Sequence, residues 1–408
     1  MKRLIFFLLG FIILVGVEIL RVYYIMPFPG SQHQNSIRIA YFLGNYIIWF
    51  RLLGLILFPP AFYYYFKKAG FWKKVLLLIP VAFYLLIFYA FNFRFLADKM
   101  FYQPRNKSMV SADKNKVDTN QLVIGISMNG EAKAYPIQII GYHHQVKDTL
   151  HGQPIMVTYC TVCRTGRIFS PFVNNKYQLF RLVGMDHFNA MFEDEDTKSW
   201  WRQVNGEAIA GPLKGQKLAE LPSAQMRLGA WIRENPGTLI LQPDTVFSEQ
   251  YADLKGFDSG TIKGSLEKRD SSSWKFKSWI VGISYHEHAR AYDWNKLVAD
   301  KVINDSLPGL PLVIVLENDC ATFHVMDRRV KGETLSLSWD STLKLLHDDQ
   351  THSSWSWAGL CLEGTMKGEA LKQVQAYQEF WHSWQSFHPL TTQYNVTATQ
   401  PSSSEDKP

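Results

Sequence analysis

The residues of this sequence best suited to chemistry are two cysteines three positions apart, Cys160 and Cys163, in the run YCTVCRTG. The spacing can direct both sulfurs at one ion. A metal site of this kind has two soft ligands and needs one or two more. His143 is the first candidate for a third ligand, and His187 and Met191 are candidates for a fourth. Thiolate, imidazole and thioether together favour copper, and an open site with two sulfurs and one nitrogen also suits zinc.

Other chemistries fit the same pair. The two thiols can cycle between dithiol and disulfide. One thiolate can attack a carbonyl with a histidine as base, which makes Cys160, Cys163, His143 and Asp148 the candidate catalytic residues. In an oxidising compartment the pair can also be an inert structural disulfide. The sequence therefore leaves open whether the protein is an enzyme. It contains no phosphate-binding loop, G-x-S-x-G or H-E-x-x-H motif, so no nucleotide cofactor is indicated.

A β-hairpin is expected to bring His143 to the cysteines. The apolar run 153–159 predicts a strand that ends at the pair, and residues 144–148 predict a shorter strand before it. Residues 149–154 contain a Gly and a Pro and supply the turn. Because 143 and 160 are about equally far from the centre of this turn, an antiparallel hairpin pairs them. The sequence therefore predicts that the His143 ring lies close to both sulfurs.

The surrounding sequence is also rich in short β-type runs. Asn129-Gly130 suits a type I′ hairpin turn between two of them. The stretch Leu221–Glu234 has helical apolar spacing. The predicted strands are LVIGIS, AKAYPI, QPIMVTYC, KYQLFRLV and PGTLILQ. This pattern predicts a β-rich α+β domain.

An internal repeat organises that domain. Residues 124–163 and 281–320 align without a gap and share eleven identical positions of forty. Looser similarity extends the two copies to 122–241 and 279–390, which predicts two tandem copies of one unit. Residues 98–121 are then a linker and 242–278 a connector. The polar tail, 391–408, is predicted to be disordered.

The repeat places the chemistry in the first copy. Cys163 aligns with Cys320, but Cys160 aligns with Glu317, and His143 aligns with Asp300. The second copy thus lacks the soft ligands. Cys320 and Cys361 are expected to be small buried residues. The histidines of the second copy follow no ligand spacing and are interpreted as core or surface residues; they include His324, His347, His352, His382 and His388.

Three apolar stretches precede the domain, at about 4–20, 39–65 and 75–93. Each is about long enough to span the hydrocarbon core as a helix. The loop FKKAGFWKK between the second and third is strongly basic, so the positive-inside rule places it in the cytoplasm. Residues 98–408 are then extracytoplasmic, which in a bacterial envelope means periplasmic. Glu18 is expected to pair with Arg21, and Arg51 to snorkel or to face a neighbouring helix.

Charge separates the two parts of the chain. Residues 1–97 hold ten Lys and Arg and one acid, a net charge of +9, whereas 98–408 hold 33 bases and 35 acids, a net charge of −2. A near-neutral soluble part has no electrostatic footprint for nucleic acid. The sequence therefore indicates the membrane as a partner and identifies no protein partner.

The cysteine run and its surroundings resemble an uncharacterised family, domain of unknown function 3179. Residues 134–166 are similar to its motifs A-Y-P, W-H-x-x-V-N-D and G-x-P-x-x-V-T-Y-C-P-x-C-G-T. The run DEDTKSWWRQVNGEAIAGPLKGQKL resembles its D-x-x-T-x-S-x-W-x-Q motif. The resemblance covers most of residues 122–390 and leaves out the three apolar stretches. It implies a site map and no established activity.

Position by position, the resemblance assigns the family's histidine to His143, its aspartate to Asp148 and its cysteines to Cys160 and Cys163. The sequence departs from the motif at a few places without losing a candidate ligand. Arg164 is one of these, and it adds a cation that is expected to lower the pKa of a neighbouring thiol. The other departures are Tyr142, Lys147 and Thr161.

Overall fold

A computed structural model describes residues 1–33 and 36–395. The N-terminal part is helical, and three of its helices are long and apolar enough to cross a membrane. The second predicted stretch is not one helix, because the chain breaks at Tyr46 between two helical segments. The helices are α1 (Lys2–Tyr23), α2 (Ile37–Asn45), α3 (Ile47–Lys68) and α4 (Phe71–Tyr89), which a π-helical turn extends over Ala90–Arg94.

A buried polar cluster joins these helices. The Glu18 carboxylate of α1 is fully buried and accepts hydrogen bonds from Arg51 at 2.6 and 3.0 Å, from Asn92 at 2.9 Å and from Arg21 at 3.2 Å. Arg21 is thus a partner of Glu18, as expected. Arg51 is a second partner, and it faces its neighbour α1. Charged groups in an apolar bundle need such pairing, so the cluster fixes how the three helices meet.

The rest of the chain is β-rich, with short helices between small sheets. Its first part contains α5 (Ala97–Met100), β1 (Met109–Ser111), β2 (Leu122–Met128), β3 (Glu131–Pro136), α6 (Ile137–His143), β4 (Gln145–Leu150), β5 (Gln153–Cys160), β6 (Thr165–Phe169), β7 (Phe172–Val173), β8 (Lys176–Tyr177), β9 (Phe180–Asp186), β10 (Asn189–Asp194), β11 (Trp200–Arg202), β12 (Ala208–Ala210), β13 (Glu220–Leu221), β14 (Ala224–Arg227), α7 (Leu228–Glu234), β15 (Leu239–Leu241) and α8 (Ser248–Asp253).

The second part follows the same order of hairpin, short helix and hairpin. It contains β16 (Trp279–Tyr285), β17 (His288–Asp293), α9 (Trp294–Asp300), β18 (Val302–Leu307), β19 (Leu310–Leu316), β20 (Phe323–Asp327), β21 (Arg329–Val330), β22 (Glu333–Thr334), β23 (Leu337–Asp340), β24 (Leu345–Asp348), β25 (Ser354–Trp355), β26 (Cys361–Glu363), β27 (Tyr377–Phe380), α10 (Trp381–Phe387) and β28 (Thr392–Gln393).

Local predictions hold at some positions and fail at others. Asn129 and Gly130 both have positive φ, 52° and 83°, in the predicted tight turn between β2 and β3. The predicted helix Leu221–Glu234 is half strand, because β14 pairs with β2 before α7 begins at Leu228. The predicted linker contributes β1, which pairs with β15.

The predicted disordered tail lies largely outside the described residues, at 396–408. Its first residues form β28, which pairs with β17.

The helical part packs directly on the β-rich part. The Met185 N–H donates to the Ile25 carbonyl at 2.7 Å, just beyond the end of α1. The Gln32 side chain accepts from the Phe188 N–H at 3.0 Å. One apolar core continues from Val22 and Ile25 through β9, β10 and β11, and both Cys160 and Cys163 belong to it. The cysteine pair therefore lies on the side of the domain that faces the helices.

Candidate functional site

The two cysteines lie at a tight turn between neighbouring strands. Cys160 is the last residue of β5 and pairs with Thr165 of β6 across the turn. Both side chains are fully buried, and both carry free thiols. The two side chains hydrogen bond to each other, and the Cys160 Sγ also lies 3.4 Å from the Phe188 carbonyl oxygen. As the spacing predicts, the C-x-x-C motif places its sulfurs side by side.

Arg164 closes this turn and points away from the thiols. Its backbone is left-handed, with φ of 56°. Its guanidinium donates to Gln378 at 2.9 Å and to the Phe257 carbonyl at 3.1 Å, and it stacks on Trp279. The largest influences on the thiol pKa values come from other groups, and the expected effect of Arg164 on them stays a prediction.

Lys277 is the cation that acts on the thiols, and it comes from the chain just before β16. Its ammonium donates to the Val162 carbonyl, within the C-x-x-C turn, at 2.6 Å. The His382 Nε2 lies 3.2 Å from both the Lys277 ammonium and the Val162 carbonyl oxygen. Another bond fixes the same turn, because the Phe380 N–H donates to the Cys163 carbonyl at 3.0 Å. The second part of the domain thus covers the cysteine turn.

The two thiols differ in acidity. Burial alone would raise the pKa of Cys160, but the hydrogen bond from Cys163, backbone N–H groups and the Lys277 charge outweigh it, so this pKa is lowered. Burial, and then the Cys160 sulfur, raise the pKa of Cys163 well above its usual value. Cys160 is therefore the thiol that ionises first, and Cys163 keeps its proton.

His382 stays neutral beside this pair. Burial, and then the Lys277 charge, lower its pKa to about 3. Phe276 stacks on its ring with centroids 4.1 Å apart, and Phe188 contacts it edge-on at 5.9 Å. Phe276 is itself half-exposed, so these aromatic rings form the layer between His382 and solvent.

His143 does not join the cysteines. The predicted hairpin register is correct, since Gln145 pairs with Thr158, but β4 begins only at Gln145. His143 ends helix α6, and its ring nitrogens contact the Tyr102 carbonyl oxygen and, at 2.7 Å, the Tyr251 hydroxyl. The expected set of two cysteines and His143 is therefore not assembled. The sequence argument failed because it did not predict α6, which turns this ring towards other elements.

The other predicted neighbours have structural partners of their own. Asp148 accepts from Lys107 at 2.9 Å and from the Tyr135 hydroxyl at 2.8 Å; despite burial, these bonds and the Thr149 N–H lower its pKa. His187 Nδ1 contacts the Asp186 carboxylate at 2.7 Å. Met191 is fully buried in the same core as both cysteines.

A second cluster of donor atoms lies between the two halves of the domain, with Glu234 from the first half and Glu317 and His324 from the second. One donor atom each from Glu234, Glu317 and His324 lie within 4.8 Å of one another, an arrangement that could hold a metal ion. Among the described residues, 1–33 and 36–395, this is the one group of three such donor side chains that lie close enough together to hold an ion. Glu317 and His324 are buried and Glu234 is half-buried. Cys320, three residues after Glu317, is exposed, so the expectation that it is a buried core residue is wrong, whereas Cys361 is buried.

Sequence reasoning missed the residues that matter most at both places. Lys277 lies in the stretch that the sequence assigns to a connector, and nothing in the sequence around His382 and His324 distinguishes them from ordinary core or surface histidines. No local spacing links Lys277 or His382 to the cysteine turn, because they contact the Val162 carbonyl from 115 and 220 positions later in the chain. His324, in contrast, follows Glu317 by seven positions across a hairpin turn.

The fold and the site thus define a β-rich domain with a buried dithiol, packed on three apolar helices. The chain belongs to the family described as "Protein of unknown function (DUF3179)", whose profile matches residues 101–391. The match confirms the resemblance drawn from the C-x-x-C and W-x-Q motifs, and it begins after the long apolar helices. No curated protein and no solved structure matches the chain.

Proposed function

We propose that Cys160 and Cys163 form a thiol–disulfide redox pair in a membrane-anchored domain. One observation carries the proposal: two buried, hydrogen-bonded thiols have opposite shifts of pKa beside the Lys277 ammonium. Redox-active C-x-x-C motifs combine an easily ionised thiol with a neighbour held as the thiol. An inert structural pair needs neither the buried cation nor the neutral His382.

The redox step needs a partner disulfide. The Cys160 thiolate attacks one sulfur of that disulfide, forms a mixed disulfide and releases one partner thiolate. Cys163 then loses its proton, attacks Cys160 and releases the second partner thiolate. Overall, the dithiol gives two electrons and two protons to the partner disulfide. Because both thiols are fully buried, the Phe276–His382 layer must move to admit the partner.

The test is a redox titration of the full chain in detergent. The Cys320→Ser/Cys361→Ser background leaves only the pair as thiols. The protein is equilibrated with mixtures of reduced and oxidised glutathione, quenched with acid, alkylated and weighed. Both thiols should disappear together and return on reduction. Lys277→Gln should slow the oxidation by about threefold for each unit by which it raises the Cys160 pKa, because the greater nucleophilicity of a less acidic thiolate offsets part of the loss of thiolate.

Single substitutions provide the control. Cys160→Ser and Cys163→Ser should each abolish formation of the internal disulfide. Two thiols that stay reduced at every glutathione ratio would contradict the proposal. So would an equal rate in the parent and in Lys277→Gln.

A second candidate function is metal handling or electron transfer with copper. It is favoured by the burial of Met185 and Met191 in the same core as both thiols, since thiolate and thioether ligands select Cu(I). His143 drops out of this set, because both of its ring nitrogens have other partners. Zinc would need further nitrogen or oxygen ligands. Copper that copurifies with the parent, but with neither serine variant, would replace the redox proposal.

We further propose that the domain consists of two tandem copies related by an approximate two-fold axis. Three observations at matched positions support it. Trp231 packs over Gly125, and Trp384 packs over Gly282 in the same way. The Tyr135 hydroxyl donates to Asp148 at 2.8 Å, as Tyr292 does to Asp305. Gln225 donates to Gln378 at 2.7 Å, and these two residues occupy equivalent places before α7 and α10. The test of the tandem arrangement is to superpose residues 122–241 on residues 279–390 in an experimental structure. Unrelated folds in the two segments would contradict the proposal.

The proposed membrane topology places 98–408 outside the cytoplasm. Arg3 lies over the Tyr64 ring at 3.7 Å, so the N-terminus and the basic α3–α4 loop share one end of the bundle. The β-rich domain contacts the other end, at Ile25. The positive-inside rule assigns the basic end to the cytoplasm. A reporter that is active only in the cytoplasm, fused after residue 408, should be silent, and an active fusion would contradict this topology.

A further inference from the structure

We infer that Glu234, Glu317 and His324 form a second functional site, a divalent-metal site at a cavity between the two halves of the domain, with Arg233 as a built-in cation that competes with the metal. This site is separate from the cysteine pair and does not depend on the proposed redox function.

The donor spacing fits one small ion. His324 Nε2 lies 3.1 Å from Glu317 Oε1 and 3.6 Å from Glu234 Oε1. A tetrahedral zinc ion with bonds of about 2.0 Å places its ligand atoms about 3.3 Å apart. The two observed separations fall on either side of that value. Three protein ligands of the histidine and carboxylate type are the usual donor number of an open zinc site.

Arg233 shows that this spot already attracts positive charge. Its Nη2 atom lies 2.5 Å from Glu317 Oε1 and 3.4 Å from Glu234 Oε1. The guanidinium nitrogen thus sits against the same oxygen atoms that a metal ion would bind. The Arg233 side chain is 53% exposed. It can therefore swing into solvent, whereas Glu317 and His324 are held in the buried interior.

The site has space for a fourth ligand. A cavity of about 430 Å³ is lined by Glu234 and His324. Trp231, Met226 and Phe323 supply apolar wall on the same side. A metal bound here would keep one coordination position open to water or to a small molecule in the cavity, as in catalytic rather than structural zinc sites.

The ligand chemistry selects the class of metal. Two carboxylates balance the charge of a divalent ion once Arg233 has moved away. One imidazole with two carboxylates suits Zn²⁺ better than Ca²⁺ or Mg²⁺, which prefer oxygen ligands alone.

The experiment measures Zn²⁺ binding to the full chain in detergent. The protein carries Cys160→Ser and Cys163→Ser, is stripped with a chelator, and is titrated with Zn²⁺ against a chromophoric competitor. One ion should bind. Glu317→Gln should weaken binding by about tenfold or more, as losses around metal sites typically do. Arg233→Gln should strengthen it, because the competing cation is gone.

Glu333→Gln, on the exposed strand β22, is the matched control and should leave the affinity unchanged. If Glu317→Gln does not fold, Glu234→Gln at the half-buried position replaces it. A simple ion-pair cluster predicts the opposite for Arg233→Gln, namely lower stability and no gain in zinc affinity. That result overturns the inference, and so does zinc binding that is absent or insensitive to the glutamate variants. Because the background lacks both thiols, none of these results bears on the redox pair.

Discussion

The turn after β5 and the turn after β19 occupy matching places in their sheets but differ in chemistry. The first carries Cys160 and Cys163, both buried; the second carries Glu317, which is buried, and Cys320, which is exposed. Each turn has a cation from a distant segment beside it, at Lys277 in one and at Arg233 in the other. The two turns therefore present different side chains at matching positions, two thiols in one and a carboxylate in the other.

The difference lies in what covers each turn. His382, from α10, is buried and contacts the Val162 carbonyl within the cysteine turn. The Arg233 side chain of α7, which reaches Glu317, is half in solvent. A buried thiol needs no permanent counter-ion because it is neutral until it ionises, whereas a buried carboxylate must be paired at all times. The cysteine turn, which His382 covers, can thus hold neutral thiols. The turn after β19, where the half-exposed Arg233 supplies a counter-ion, can hold the Glu317 carboxylate.

The largest expected effect comes from exchanging the two residues. Cys160→Glu would bury a carboxylate in an apolar core and should lower the free energy of unfolding by more than about 3 kcal/mol. Glu317→Cys should cost only about 1 to 2 kcal/mol, because Arg233 can turn to solvent. Denaturant unfolding of the full chain in detergent, followed by tryptophan fluorescence, measures both. Equal costs would break the comparison, and Cys160→Ser serves as the size-matched control.

Low pH should reduce the stability of the folded protein through His382, which lies beside the cysteine turn. Its pKa is about 3 in the folded protein, below the ordinary value of 6.5. The unfolded chain therefore takes up a proton that the folded one refuses, so this contribution is complete above about pH 6.5 and is lost as the pH falls towards 3. Between pH 6.5 and pH 4 the loss of unfolding free energy from this group amounts to about 3 kcal/mol.

The variant His382→Asn isolates that contribution. The unfolding free energy of this variant should fall less steeply with decreasing pH than that of the parent. The difference in slope should correspond to the uptake of about one proton on unfolding. Stability at pH 8 gives the baseline cost of the substitution. Parallel pH profiles for parent and variant would show that His382 does not resist protonation.

The smallest expected effect concerns access to the thiols. Phe276 stacks on His382, and such contacts contribute about 0.5 to 1.5 kcal/mol. Phe276→Leu should therefore speed alkylation of Cys160 and Cys163 by roughly two- to tenfold. Rates are measured by mass spectrometry at pH 8 in the Cys320→Ser/Cys361→Ser background. Phe172→Leu, on the remote strand β7, should leave the rate unchanged, and equal rates in both variants would rule out this route of access.

The sequence by itself determined the features that depend on neighbouring residues. Three apolar stretches specify helices long enough to cross a membrane, and Asn129-Gly130 specifies a tight turn. The hairpin register follows from the turn between β4 and β5. The C-x-x-C spacing brings two sulfurs together without help from the rest of the chain. These features are local because backbone geometry and hydrophobic period act over a few residues.

Only the tertiary structure decided which side chains meet those sulfurs. His143 was close in register and yet turned away, because it ends the seven-residue helix α6, which directs its ring towards other elements. Lys277 and His382 reach the cysteine turn, at the Val162 carbonyl, from positions more than 100 residues later in the chain. Such contacts depend on how separate sheets pack and on which polar groups burial forces into pairs. Because these contacts depend on the packing of the whole core, no spacing in the sequence predicts them.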